Sequence, residues 1–597
     1  TYQTDWSRND EFKQWICEDA DSSQHAKCTW CQKTFSIAGG GVRDVRSHAR
    51  SAKHTAIGLA QKTPKKTEDL ETVAHKKKIT ESELKLVNFI VKRKLPIRLV
   101  DDILDNVADW FPDSKIAKAM SCRWTKASMM VKNVIGKVTK QDLCDKLWSC
   151  NFTLLGDEST DISTTEKMAL VAIYFDEKLS KVQHRFYHLV DLKEATAENV
   201  FFAILSILEE DSVPVGNAMA LGTDGANVML GARNSVLSRF KTIHCTCHVA
   251  ALCAADACKA FPKTAEQLCR DIHSHFSSSC KRLQLLKEFQ VFVEAVTEKY
   301  LRWLSLFDCV DQILNQYDAL LSYFQSGDES DCLVTVERIC PQLEDPSTKC
   351  YFLFLQAALP LFTNFNKLFQ SNSPILPALH PEVQQLLKAI MDQYIAPQAP
   401  TPLHDYELQD IDHQKELNFK SLDNIYIGSQ TRIQLENVDN PAKVKKFMDD
   451  VIVFYVNGVS AIKRMPLGYE VLKLTSILQP SKQTTVQSSD IVQLAKSFPQ
   501  IVHSSSWDNL EAEFIEYQVA GLSNISSEQP LDIYWHQIGQ ITTSTKGHKF
   551  PVLSKFAKTL LALPHSTAEV ERILSAVNLT KTDLRNKLSV SMLESLL

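Results

Sequence analysis

The fold is decided by residues 151–192, which read NFTLLGDESTDISTTEKMALVAIYFDEKLSKVQHRFYHLVDL. Three runs in this stretch are rich in aromatic, β-branched and other large apolar residues, and polar turns separate them; they cover residues 152–156, 168–175 and 184–192. Short apolar runs of this kind, bounded by turn residues, are typical of β-strands. The stretch therefore predicts three consecutive strands.

The elements that follow extend this sheet. Apolar residues at helical spacing predict a helix over 197–210. A fourth strand over 218–222, a second helix over 232–240 and a fifth, short strand over 242–245 follow it. Three strands, a helix, a strand, a helix and a strand form a mixed α/β pattern. This is the order that an RNase H-like fold uses, so we expect an RNase H-like core.

The charge is unevenly distributed. The 597 residues carry a net charge of −5, yet residues 43–98 hold 15 Lys or Arg against 6 Asp or Glu, a local excess of +9. Such a segment favours a polyanion such as nucleic acid, and its runs 76–78 and 92–94 can serve nuclear import, although a solvated linker explains single lysines equally well. The 16 cysteines, spread over the chain, indicate a reducing compartment. No apolar run reaches the roughly 20 residues that span a bilayer, so we expect no membrane partner.

A metal-binding pattern lies near the start of the sequence. Cys28 and Cys31 form a Cys-x2-Cys knuckle, and His48 and His54 follow at a spacing that can close a tetrahedron around Zn²⁺. Basic residues accompany the histidines and can contact DNA phosphates; they are Arg43, Arg46, Arg50 and Lys53. Together with Trp6, Phe12 and Trp15, this region resembles a BED-type zinc finger, a DNA-binding module.

Two aspartates follow predicted strands. Asp157 comes after the first strand through Gly156, and Asp224 comes after the fourth. Carboxylates at the ends of neighbouring strands can bind a pair of Mg²⁺ ions, which suits phosphodiester chemistry. Taken alone, each aspartate is more simply explained as a turn residue or a helix cap.

Five separated motifs resemble those of hAT superfamily DNA transposases of the Buster-like branch. They are the first-aspartate motif at 155–161, the second-aspartate motif at 223–229, a Cys-x-x-His motif at Cys245 and His248, an Arg-Trp motif at Arg302 and Trp303, and a C-terminal signature at 564–575 that continues to Arg585 and Leu588. They occur in the family's order and run along most of the chain.

The resemblance implies a mechanism and a set of site residues. Asp157, Asp224 and Glu571 would be the catalytic ligands of Mg²⁺ or Mn²⁺. His248 would be a further catalytic residue near the scissile phosphate, and Cys245, beside the active site, would be one of the DNA-binding residues. Trp303 would stack on a displaced DNA base, and Arg302 would neutralise a phosphate; a core Trp is the competing explanation. The implied reaction is cut-and-paste transposition, in which a nuclear homodimer or larger assembly binds transposon ends and target DNA.

Spacing agrees with the resemblance. Asp157 and Asp224 are 67 residues apart, whereas Glu571 lies 347 residues beyond Asp224. If one sheet supplies all three ligands, a large all-helical domain must interrupt the core, and residues 249–531 have helical periodicity. The divisions that we expect are a BED-type zinc finger (1–62), a basic linker (63–78), a helical DNA-binding or dimerisation region (79–150), the first part of the RNase H-like core (151–270), a helical insertion (271–540), and the second part of the core with the dimerisation region (541–597).

Smaller expectations and two alternatives complete the prediction. Thr80 and Glu83 match a capping box at the start of the helical region. One alternative function is a domesticated transposase that binds DNA as a chromatin or transcription factor without cutting it. The other is an RNase H-like nuclease that acts on RNA or branched DNA, which the finger and the C-terminal signature disfavour.

Overall fold

A computed structural model gives the structure of the chain. It describes residues 1–20, 22–62, 70–160, 166–192, 196–223, 241–277, 282, 305–326, 334–397, 411–464, 470–522, 524–581 and 588–597. The chain divides into two compact units. The first comprises residues 1–90 and 97–124, and the second comprises residues 91–96 and 125–597.

The first unit begins with a small antiparallel sheet. Its strands are β1 (Ile16–Glu18), β2 (His25–Cys28) and β3 (Lys33–Ser36), in the order β1-β2-β3. Phe12 and Val45 are fully buried against it. This core is small, so a metal staple would add much of the stability that a module of about 60 residues lacks.

The helices of residues 1–124 follow that sheet, and we list them together: Val42–Ala49, Ala52–Lys62, Leu70–Lys92, Leu99–Trp110 and Lys115–Ala119. The third begins inside the segment that we expected to be a linker, because its Lys- and Glu-rich composition also suits an exposed helix. The capping box predicted at Thr80 is wrong. Thr80 lies within that helix and its hydroxyl donates to the Lys76 carbonyl, while Glu83 accepts a hydrogen bond from the Ser121 amide at 2.8 Å.

The second unit contains a five-stranded sheet, and each of the five predicted strands is present. The strands are β4 (Phe152–Thr160), β5 (Glu166–Asp176), β6 (Lys181–Leu192), β7 (Ala218–Thr223) and β8 (Lys241–His244). Their order is β6-β5-β4-β7-β8. β4 pairs antiparallel with β5 and parallel with β7, and β8 continues the parallel side.

Both faces of the central strand are buried. Leu154 packs on one face with Val200 and Ile204 of the helix Ala197–Glu210, the helix predicted at these positions. Leu155 points to the opposite face and packs in the large core that the later helices build. Because side chains alternate along a strand, Asp157 lies on the same face as Leu155.

Helices make up most of the second unit. In chain order they are Trp124–Met130, Gly136–Ser149, Ala197–Glu210, Thr246–Cys258, Lys263–Ser277, Ser305–Asn315, Tyr317–Ser326, Val334–Glu344, Pro346–Phe369, Leu379–Tyr394, Ser429–Leu435, Pro441–Lys463, Glu470–Thr475, Ser488–Lys496, Trp507–Val519, Leu531–Gln540, Pro551–Leu560, Ala568–Thr580 and Val590–Leu596. A π-helical segment, Val131–Ile135, joins the first two. The helix predicted at 232–240 lies outside the described residues. Across the part of the chain that the structure describes, we find no helix with the length and hydropathy that crossing a membrane requires.

The C-terminal helices return to the sheet. Ala568–Thr580 packs against β4 and β5, and Val590–Leu596 packs against β6. Glu594 accepts a hydrogen bond from the Leu189 amide, and Asp532 accepts one from the Val182 amide. These carboxylates occupy backbone donors of the edge strand β6, which removes sites where another strand could pair.

Candidate metal and carboxylate sites

The Cys/His pattern of the first unit forms one cluster. The ligand atoms of Cys28, Cys31, His48 and His54 all lie within 4.8 Å of one another. The Nδ1 atom of His54 lies 3.4 Å from the Cys28 sulfur and 3.5 Å from the Cys31 sulfur. Two thiols and two imidazoles at such distances are a donor set that binds Zn²⁺ in tetrahedral geometry. This group can therefore bind zinc.

The pKa shifts of the two histidines favour the neutral imidazoles that bind a metal ion, whereas the shift of Cys31 favours the thiol, whose proton a zinc ion would have to displace. Burial, and next the charge of His54, lower the pKa of His48, and burial also lowers the pKa of His54. Burial, and next the hydrogen bond with Cys28, raise the pKa of Cys31. Within the described residues, the Nε2 atom of His48 is buried without a hydrogen-bond partner. A buried nitrogen in this state is costly unless a cation or donor satisfies it, which is consistent with a metal ligand.

Aromatic rings hold the two imidazoles in place. Phe35 stacks on His48 with ring centroids 4.2 Å apart, and Trp15 meets His54 edge to face at 4.4 Å. Trp30 stacks on His54 from another side at 5.1 Å. Sequence analysis did not assign a role to Trp30, although its position inside the Cys-x2-Cys knuckle is the signal for it.

The basic residues of this module are exposed. Arg43 and Arg46 lie on the helix Val42–Ala49, Arg50 follows it directly, and Lys53 lies on the next helix. The three arginines are spaced three and four residues apart, so they occupy one side of the helix. Arg46 forms an ion pair with Glu11 at 3.3 Å, which leaves Arg43 and Arg50 as the more available phosphate contacts.

The sequence predicted that Asp157 follows the first strand. In the structure Asp157 lies inside that strand, β4. The antiparallel partner β5 extends the pairing through Thr160, and Asp157 stands opposite Ala169. The carboxylate is half-buried and shares the face of Leu155. Asp224 lies outside the described residues. The described part of β7 ends one residue earlier, at Thr223, in register with His244 of β8.

Glu571 lies in the first turn of the helix Ala568–Thr580, which packs against β4 and β5. The strand that carries Asp157 and the helix that carries Glu571 are therefore neighbours. The nearby Glu569 has a different environment: it pairs with Arg572 and accepts a hydrogen bond from Asn372 at 3.1 Å. Glu569 therefore belongs to a network with Arg572 and Asn372.

A close approach between distant residues sets the path of the chain before that helix. A β-carbon on Gly222 would come within 2.5 Å of a Leu155 methyl carbon and within 2.9 Å of the Pro564 ring. Only glycine lets Pro564 lie this close to the end of β7. Sequence analysis did not single out Gly222, because its partner lies far away in the chain.

Cys245 and His248 differ in exposure. Cys245 follows β8 directly and is 2% exposed, and its sulfur accepts a hydrogen bond from the Thr567 amide at 3.3 Å. His248 lies in the first turn of the helix Thr246–Cys258 and is exposed. Arg302 and Trp303 lie outside the described residues, so their predicted roles stay predictions.

Sequence analysis did not single out Lys167, a buried lysine on the strand beside Asp157. Lys167 is 4% exposed and lies on β5 two residues before Ala169, on the face that Asp157 shares. Lysine is rarely buried without a counter-charge. Side chains alternate along a strand, so Lys167 shares a face with the apolar residues Ala169 and Val171. This spacing is the signal that could have shown its inward orientation.

Two family models match the chain. Residues 84–234 match the ZMYM1/FAM200, RNase-like domain. Residues 522–597 match the hAT family C-terminal dimerisation region. The first range includes Asp157 and Asp224, and the second includes Glu571. The matches support a hAT-family, transposase-like protein, and the dimerisation region supports homodimerisation.

Proposed function

We propose that this protein is a hAT-type DNA transposase with an RNase H-like core, a large all-helical insertion and a BED-type finger, of the Buster-like branch. It would perform cut-and-paste transposition in the nucleus. The observation that carries the proposal is the packing of the helix that holds Glu571 against the strand that holds Asp157, two positions far apart in the sequence. The two family matches, which include all three candidate carboxylates, support the same function.

The chain's own residues would divide the work. Asp157, Asp224 and Glu571 would hold two divalent ions, Mg²⁺ or Mn²⁺, since carboxylate oxygens are the ligands that these ions prefer. When bound, such ions activate an attacking oxygen and stabilise a leaving oxygen in phosphoryl transfer. Asp157 offers a half-buried carboxylate on a rigid strand, and the packed helix fixes Glu571. His248 is exposed and can meet the scissile phosphate from the adjoining helix.

DNA binding would come from several surfaces. Arg43, Arg50 and Lys53 are exposed beside the candidate zinc cluster and can contact phosphates. Arg302 and Trp303 would act at the cleaved end, where an indole can stack on an unpaired base. Two subunits would hold the two ends of one element.

A second candidate function is favoured by the match to the ZMYM1/FAM200, RNase-like domain. In that case the chain would be a transposase-derived protein that binds DNA without cutting it. The finger and the dimerisation region would then be in use, and the carboxylates would have no catalytic role.

One experiment separates the two candidates. Purified full-length protein is incubated with Mg²⁺ or Mn²⁺ and linear DNA that carries the inverted repeats flanking its gene. A transposase produces hairpins on the flanking DNA, and D157N, D224N and E571Q abolish them. The matched control is E569Q, which alters a carboxylate two residues from Glu571 and retains an oxygen that can accept the Asn372 hydrogen bond; its hairpin yield stays within about threefold of wild type.

The second candidate gives a different outcome. The protein then binds the same DNA with a zinc-dependent affinity, forms no hairpins with either ion, and is unaffected by D157N or E571Q. Hairpins that persist in E571Q would contradict the assignment of Glu571 even if cleavage itself is real.

A further inference from the structure

Cys245 lies at the junction of three chain segments. It follows the last residue of β8 and precedes the helix Thr246–Cys258. Its amide donates to the Thr223 carbonyl at 2.9 Å, which ties the junction to β7. Its sulfur accepts the Thr567 amide at 3.3 Å, which ties the junction to the residue that precedes the helix Ala568–Thr580. Cys245 therefore links the ends of β7 and β8 to the segment that leads to Glu571.

A second hydrogen bond makes the same connection. The Thr246 amide donates to the His565 carbonyl at 3.0 Å, next to the contact between Cys245 and Thr567. Residues 565–567 are buried, so water cannot easily replace these bonds. The two bonds leave the segment little freedom to shift along the end of the sheet.

The helix Pro346–Phe369 and the residues just after it form hydrogen bonds with both sides of the junction. Asn366 is 1% exposed on the helix Pro346–Phe369, and its side-chain amide donates to the Cys247 carbonyl at 2.9 Å. The His565 ring lies 2.9 Å from the Ser371 carbonyl, just after the same helix, and the Arg572 guanidinium donates to the Gln370 carbonyl at 2.6 Å. The end of that helix thus supports both sides of the junction.

The surroundings of the Cys245 sulfur also shift its pKa. The hydrogen bond from Cys247 lowers the pKa of Cys245 to about 6 against the effect of burial, and hydrogen bonds from Thr567 add to this. The hydrogen bond to Cys245, and next burial, raise the pKa of Cys247, and the Glu571 carboxylate contributes further. The lowered pKa agrees with the role of the Cys245 sulfur as the acceptor of the Thr567 amide, which the geometry shows.

We propose that Cys245 is a positioning residue for Glu571. Its sulfur fastens Thr567 to the ends of β7 and β8, and it thereby fixes the first turn of the helix that carries Glu571 and packs against β4. The residue acts from inside the protein: it is 2% exposed, so its side chain is not available for the DNA contact that the resemblance implies. The consequence for metal binding rests on the proposed function, whereas the mechanical link does not.

Hydrogen exchange measured by mass spectrometry on the full-length protein tests the link directly. We expect C245A to speed exchange of the peptide that covers residues 565–575 by about fivefold or more, because the Thr567 amide loses a buried acceptor. C245S retains an oxygen acceptor, so its exchange stays within about threefold of wild type. The control is C253A, which truncates a buried cysteine on the adjoining helix Thr246–Cys258 and leaves that peptide unchanged.

Divalent-ion dependence then tests the positioning. In C245A the Mn²⁺ concentration for half-maximal hairpin formation rises about tenfold while the affinity for DNA stays that of wild type; C245S and C253A change neither. Unchanged exchange in C245A overturns the link, and altered exchange without a change in Mn²⁺ dependence overturns the positioning role. If the wild-type protein forms no hairpins with any divalent ion, the proposed function fails, and the exchange measurement still decides the link.

Discussion

Pro564 lies against the backbone of Gly222, so close that a β-carbon on Gly222 would stand 2.9 Å from the Pro564 ring. This contact joins the C-terminal segment to the end of β7, immediately before Asp224. Two parts of the chain that are remote in sequence therefore meet at the carboxyl end of β7.

Substitution of Gly222 therefore has a predictable effect. We expect G222A to lower the free energy of unfolding by about 1–3 kcal/mol, the range for overpacking a close-packed site, and to reduce hairpin formation because Pro564 must move. Urea unfolding measures the first effect. The control is G216A, since a β-carbon at Gly216 meets nothing within 4 Å. Equal stability of the two variants would contradict the importance of the contact.

Zinc content tests the cluster in the first unit. We expect about one zinc ion per chain in the wild-type protein and close to none in H48A, because a tetrahedral site that loses one of four ligands binds weakly. A chelator should change the tryptophan fluorescence of the wild type, since Trp15 and Trp30 contact His54. H25A is the control: His25 lies on β2 with its ring 3.0 Å from the Ser22 hydroxyl, and it is outside the cluster. Wild-type protein free of zinc, or H48A that keeps it, would refute the site.

Stability should fall in mild acid because of His184. Burial, and next the charge of His565, lower the pKa of His184 to about 4. A histidine whose pKa is lower in the folded protein than in the unfolded chain binds fewer protons when folded. Its contribution is therefore complete above about pH 6.5 and is lost as the pH falls from about 6.5 towards 4.

The size of this effect can be measured. Between pH 7.5 and pH 5.0 we expect His184 to account for a loss of up to about 2 kcal/mol in the free energy of unfolding. Urea titrations at the two pH values should show a smaller loss for H184Q than for wild type. H503Q removes an exposed histidine and should retain the wild-type dependence. If H184Q and wild type lose the same stability, the lowered pKa of His184 is disproved.

The arginines beside the candidate zinc cluster should contribute to DNA affinity without sequence preference. For a random-sequence duplex, we expect the double substitution R43Q/R50Q to reduce the slope of log affinity against log salt by about 2, since each phosphate contact contributes about 0.9. Fluorescence anisotropy over a range of salt concentrations measures this. K13Q is the control, because Lys13 is paired with Asp10. If the slope for R43Q/R50Q equals that of wild type, these two arginines do not contact the DNA.

Local sequence patterns predicted the sheet well. The strands and the helix Ala197–Glu210 were found because large apolar residues lie on both faces of β4 and β5 and at helical spacing between β6 and β7. The end of β4 was predicted four residues too early, since the polar residues after Gly156 resemble a turn. Pairing with β5 keeps them in the strand.

Long-range contacts could not be predicted in this way. The helix that carries Glu571 and the segment before it contact Gly222, Cys245 and Gln370, which come from three distant parts of the chain. Each of these residues has an ordinary local context, and only the fold shows what it touches. The network of Glu569 is of the same kind, because its partner Asn372 lies far away in the sequence.

The most direct test of the central claim is anomalous diffraction from crystals of the full-length protein soaked in Mn²⁺. We expect one or two anomalous peaks at the end of β4, with carboxylate oxygens of Asp157, Asp224 and Glu571 about 2.0–2.3 Å away. Ordered carboxylates with no peak between them, or a Glu571 side chain directed away from β4, would contradict the account.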